Sequence, residues 1–114
     1  MGRIELKISK DFSKTPGPRF ILEGEYSGEL FRDSILFYKM QEAIDKGIKL
    51  RVNIDGTAGY ATSFLEESFG GLIREKGLNY DDIIKTLEII SDEEEYLIEN
   101  IFKYLKEAED EKKK

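Results

Sequence analysis

Residues 48–54 read Ile-Lys-Leu-Arg-Val-Asn-Ile, with an aliphatic side chain at every second position. That period of two puts Ile48, Leu50, Val52 and Ile54 on one face of a strand and the polar residues on the other. The same alternation occurs at residues 4–8, around Ile4, Leu6 and Ile8, and over residues 19–23, around Phe20 and Leu22. A fourth short strand is predicted at residues 87–90. Between these segments the apolar period changes to that of a helix. A first helix starts after Ser27, a good N-cap, and ends at Gly47, where a left-handed residue is wanted. A second is predicted from Ser63, because Ser63-Phe64-Leu65-Glu66 has the spacing of a capping box. It stops near Gly77, and residues 79–84 read as a turn. A third starts from a second such box, Ser91-Asp92-Glu93-Glu94, and its apolar residues Leu97, Ile98, Ile101, Phe102 and Leu105 repeat at helical spacing.

This order predicts an α/β domain with a mixed central sheet of about four strands and three main helices. Strands 48–54 and 87–90 run parallel, and the two N-terminal strands pair antiparallel. The expected core comprises Leu6, Ile8, Leu36, Met40, Leu50, Val52, Ile54, Leu65, Phe69, Leu72, Ile89, Ile98, Ile101 and Leu105. At 114 residues the chain has the length of one domain. We place that domain at residues 1–109, followed by a charged tail at 110–114.

Composition narrows the chemistry. The chain contains neither Cys nor His. Disulfides, Cys/His zinc sites, thiol catalysis and imidazole acid–base steps are therefore excluded. An enzyme built from this chain would have to work with carboxylates, Lys, Arg, Tyr, Ser or Thr. A net charge of −6 argues against binding a phosphate backbone. No apolar run is long enough to span a membrane, and the first residues lack the apolar segment of a signal peptide. The expectation is a cytoplasmic protein without cofactor or metal.

Two stretches stand out. One combines Gly17-Pro18-Arg19-Phe20 with Glu23-Gly24, Ser27-Gly28-Glu29 and Phe31-Arg32. The other runs from Asp55 through Thr62-Ser63-Phe64-Leu65-Glu66-Glu67-Ser68-Phe69-Gly70-Gly71-Leu72. Together they resemble a bacterial family of STAS-like domains of unknown function, which share an SGE…FR stretch and a TSFLEE-x-FGGL stretch. The resemblance implies a STAS-like fold, related to anti-sigma-factor antagonists and to cytoplasmic domains of sulfate transporters. It also implies a regulatory setting, since members accompany helix-turn-helix or histidine-kinase-like ATPase modules. In anti-sigma-factor antagonists a Ser at the start of a helix is phosphorylated by a partner kinase, and Ser63 falls at the equivalent place. The Asp and Gly that usually flank that Ser are absent here.

Each candidate residue has a structural and a functional reading. Ser63 is either a simple cap or a phosphorylation site. Glu66 and Glu67, in a helix's first turn, complement its dipole, and adjacent helical positions diverge by about 100°. Gly70 and Gly71 cost about 1 kcal/mol each inside a helix. With Phe64 and Ser68 they point either to a groove used by a partner or ligand, or to close packing within the domain. Arg19, Arg32 and Arg74 either pair with surface carboxylates or converge to hold an anion. The 55–60 loop lacks the Gly-Lys-Ser/Thr ending of a phosphate loop, but it sits where ligands gather in α/β sheets.

The expected working surface therefore comprises Asp55, Thr57, Tyr60, Thr62, Ser63, Phe64, Glu67, Ser68 and Gly71. The leading expectation is a non-catalytic regulatory module that binds a protein partner, such as an ATPase-type kinase, or forms a homodimer. The alternative is a domain sensing a small ligand or nucleotide through the same surface.

Overall fold

The structure, a computed structural model, describes residues 2–114. Strand β1 (Arg3–Lys7) leads into a short helical turn, α1 (Ile8–Asp11). A long irregular segment then enters helix α2, which spans residues 28–46. Strand β2 (Lys49–Asn53) follows. After a loop, helix α3 covers residues 62–74. Helix α4 (Tyr80–Thr86), strand β3 (Leu87–Ile90) and helix α5 (Tyr96–Lys112) complete the chain.

Among the described residues the sheet has three strands in the order β1-β2-β3, all parallel. The α/β class and the parallel pairing of β2 with β3 are as expected, but the mixed four-stranded sheet and the count of three helices are not. Residues 19–23 pair with no strand and instead close a 3₁₀ turn at Ile21–Glu23. The alternation of Phe20 and Leu22 misleads there, because Ile21 between them is apolar too.

The register places Leu6 beside Val52 and Val52 beside Ile89. These residues, with Leu50 and Leu87, form the buried face of the sheet. Helix α2 packs over β1 and β2, and α4 packs against β2. The opposite face carries Glu5, Arg51 and Glu88 in one row across the three strands. Alternation thus sorts the sheet into an apolar side under helices and a charged side.

The helices follow from their ends. Ser27 Oγ accepts from Leu30 N at 3.0 Å to open α2, and Gly47 closes it with φ of 65°. Asn79 Oδ1 accepts from Asp82 N to start α4, where the sequence reading placed only a turn. Helix α5 continues to Lys112, past the tail boundary expected after residue 109. Helix α3 lies between α2 and α5, so it is covered on two sides. Of the expected core, Ile98 is only half-buried, and Phe31, Phe64, Ile73, Ile83 and Leu97 join the buried set. No helix among the described residues is long and apolar enough to cross a membrane.

Candidate functional site

The two distinctive sequence stretches meet where α2 crosses α3. Gly28 lets the backbones approach: a Cβ there would lie 2.5 Å from the Phe64 carbonyl oxygen. Ser68 Oγ, fully buried, donates to the carbonyls of Phe64 at 2.7 Å and Gly28 at 3.3 Å. The rings of Phe31 and Phe64 stack with centroids 5.9 Å apart.

Beside this contact both helices widen into a π-type turn, over Arg32–Leu36 in α2 and Glu66–Gly70 in α3. These turns carry a buried ion pair, Arg32 Nη1 to Glu67 Oε2 at 2.5 Å, with both side chains 5% exposed. Arg32 Nη1 also reaches the Glu67 carbonyl at 3.3 Å, and Nε donates to Asp33 Oδ1 at 2.9 Å. The other carboxylate oxygen of Glu67 accepts from Arg19 and Arg74. Glu66 accepts from the same two arginines. Burial pulls the Glu66 carboxyl up, but hydrogen bonds from Arg74 and Arg19 outweigh it and hold the group below the usual range. Asp33 is likewise held low against burial, by Arg32 and Lys76.

The three arginines therefore do converge, and the anions they meet are Glu66 and Glu67. The two glutamates, expected to diverge as neighbours on a helix, are gathered by arginines that bridge them. Gly71 is explained by the same joint: a Cβ there would collide with the Arg32 guanidinium and lie 2.9 Å from Arg32 Cδ. The expected groove along Phe64, Ser68 and Gly71 does not exist. All three are buried inside the domain, because α2 covers the side of α3 that a single-helix reading leaves free.

Ser63 is not the cap of α3. The helix starts at Thr62, its N-cap is Ala61, and no side-chain capping bond forms. Glu66, the reciprocal half of the expected box, is held by Arg19 and Arg74 instead. Asp55 lies two residues beyond the end of β2. Its carboxylate accepts from Ser91 Oγ at 2.8 Å, Asp92 N at 2.7 Å and Glu93 N at 3.2 Å. Burial raises its pKa, and these bonds more than offset that, leaving it lowered. Thr57 Oγ1 accepts from Gly59 N, and the Tyr60 hydroxyl donates to the Ile54 carbonyl at 2.7 Å. Burial pushes the Tyr60 hydroxyl well above its ordinary pKa, away from acting as a phenolate. The polar side chains of Asp55, Thr57 and Tyr60 thus brace the loop, and Thr62 is exposed at its end. No group of three or more acidic side chains among the described residues is placed to hold a metal ion.

The profile of one protein family, described as a STAS-like domain of unknown function (DUF4325), matches residues 27–97. The chain belongs to that family. No curated protein and no solved structure matches the chain. The matched segment runs from the Ser27 cap to Leu97, so it contains the charged joint except Arg19.

The STAS-like domain has one further feature, which periodicity concealed. Residues 20–22, Phe-Ile-Leu, form a knuckle that points away from the core. Leu22 is 99% exposed, Ile21 49% and Phe20 44%, and Tyr26 beside them is 42% exposed. The loop carrying them is tied down at several points. Gly17 N donates to Tyr26 O, Gly28 N to Pro18 O, and Glu29 N to Arg19 O. Phe20 N donates to Glu23 Oε1 and Ile21 N to Glu29 Oε1. Tyr26 holds φ of 53°, a left-handed conformation that bulky residues rarely adopt. The available sequence signal was the unbroken apolar run bounded by Gly17-Pro18 and Gly24, which suits neither a half-buried strand nor a helix.

Proposed function

We propose that this STAS-like domain is a non-catalytic protein-interaction module of a regulatory system, working through the knuckle at residues 20–22, Tyr26 and the adjoining 55–62 loop. The observation that carries this is Leu22, almost wholly exposed on a loop that backbone hydrogen bonds hold in place. Contiguous apolar surface rimmed by polar residues marks interaction sites on soluble domains. An ordered loop also pays less entropy on docking than a mobile one. Ala58 N donates to Lys14 O, which ties the 55–62 loop to the segment leading to the knuckle.

By likeness to the family's setting, the partner is a histidine-kinase-like ATPase or another regulator. If that partner phosphorylates the domain, exposed Thr62 is more accessible than half-buried Ser63. The test is a photo-crosslinking residue at position 22 in cells producing the domain. The reading expects a discrete adduct with a different protein, lost when Tyr26 is replaced by Ala. Absence of any adduct from position 22 would remove this reading.

A further inference from the structure

A pocket partly lined by Ile44 and Ile48 lies at the opposite edge of the sheet from the knuckle. It holds about 410 Å³ and is lined by Gly2, Ile44, Gly47, Ile48, Lys49, Asp82, Lys85 and Thr86. Gly2, Lys49 and Thr86 stand at the starts of β1, β2 and β3, so the pocket opens at the N-terminal edge of the parallel sheet. The knuckle belongs to the other edge. It feeds the start of α2, and its loop is bonded to the segment that follows the end of β2.

The two surfaces complement each other. The knuckle is exposed and apolar, and exposed Glu23 and Glu25 follow Leu22 in the chain. The pocket is concave, its apolar lining comes from Ile44 and Ile48, and its charged lining is Lys49 and Lys85 against the single Asp82. Lys85 is 75% exposed and only loosely paired with Asp82, at 3.5 Å, which leaves it able to meet an incoming carboxylate.

We propose that Leu22 of one copy seats between Ile44 and Ile48 of a second copy, with Glu23 and Glu25 facing Lys49 and Lys85. This goes beyond the reading of the knuckle as a docking surface for another regulator and rests on it; the knuckle left free at one end of the assembly stays open to that regulator. Because knuckle and pocket are different surfaces at opposite edges, a pair of copies still has one knuckle and one pocket free. Association is then head to tail and open-ended, not a closed dimer.

Sedimentation over a concentration series up to about 1 mM, the weak end of specific affinity, tests this. The wild-type domain should show a mass that rises without a plateau at the dimer. Leu22→Asp and, separately, Lys85→Glu should weaken association by on the order of 30-fold, the scale of a lost anchor contact. Both positions are exposed, so both variants should fold, as circular dichroism would check. Leu22→Asp keeps its pocket and Ile48→Asp keeps its knuckle, so mixing the two should give a one-to-one dimer that grows no further. A wild-type domain that stays monomeric throughout overturns the proposal, as does a closed dimer indifferent to Lys85→Glu. A monomer that still forms an adduct with another protein at position 22 refutes only self-association. A monomer with no such adduct refutes the docking surface as well.

Discussion

Gly71 has no side chain because the Arg32 guanidinium occupies the place where one would be. The ion pair of Arg32 with Glu67 is buried on both sides, so removing Arg32 leaves Glu67 Oε2 without its donor away from water, while Arg19 and Arg74 still hold Oε1. We expect Arg32→Met to cost about 3–5 kcal/mol in urea unfolding, the range for breaking a buried pair. Arg32→Met combined with Glu67→Met should recover part of that loss, since it removes both buried charges and leaves Arg19 and Arg74 with Glu66 and Asp33 with Lys76. Gly71→Leu should be as damaging as Arg32→Met, by evicting the arginine. Nothing local in the sequence marks Arg32 as buried. An Arg followed by an Asp on a helix looks like a solvated pair, and its true partner lies 35 residues away. The legible signal was indirect: two adjacent glycines inside a helix, a cost that needed a reason.

Serines decide the helix ends, though not the ones their spacing favours. Ser27 caps α2 through a real hydrogen bond, whereas Ser63 sits inside the first turn of α3 and caps nothing. Ser27→Ala should therefore cost about 1 kcal/mol, while Ser63→Ala should stay within about 0.5 kcal/mol. Equal losses in thermal unfolding would contradict this assignment. The second expected box is half-realised. Ser91 Oγ accepts from Glu94 N at 2.9 Å, but the Glu94 side chain takes the Tyr96 hydroxyl. Asp55 supplies the remaining acceptors from across the sheet edge, so α5 begins only at Tyr96. A box pattern names residues able to cap, and competing partners from other elements determine whether they do.

Across the whole molecule, acid stability follows from the carboxylates that arginines and backbone amides hold low. Glu66, Asp33 and Asp55 all have lowered pKa values in the folded chain. The unfolded chain binds protons more readily at these groups, so their contribution is fully present above the unfolded pKa values and is lost as pH falls from there through the lower folded ones. The melting temperature should be nearly level between about pH 5 and 8, where no histidine exists to titrate, and should fall below about pH 4.3. Glu66→Gln should shallow that acid slope. A slope unchanged by this substitution would place the acid-sensitive groups elsewhere.

The order of most elements, the buried face of each strand and the parallel pairing of β2 with β3 are legible in the amino-acid order, because those properties follow from apolar period and from short connections. Its SGE…FR and TSFLEE-x-FGGL stretches also sufficed to indicate the family. Tertiary structure alone decided what those stretches do: Gly28, Ser68, Arg32, Glu67 and Gly71 build a charged joint between two helices. It also decided that residues 19–23 leave the sheet and that Phe64 is core. Periodicity reports which side of an element is apolar, but not how many neighbours cover it. Helix α3 is covered by α2 and by α5, and the knuckle by nothing, and that difference arises only when the elements pack.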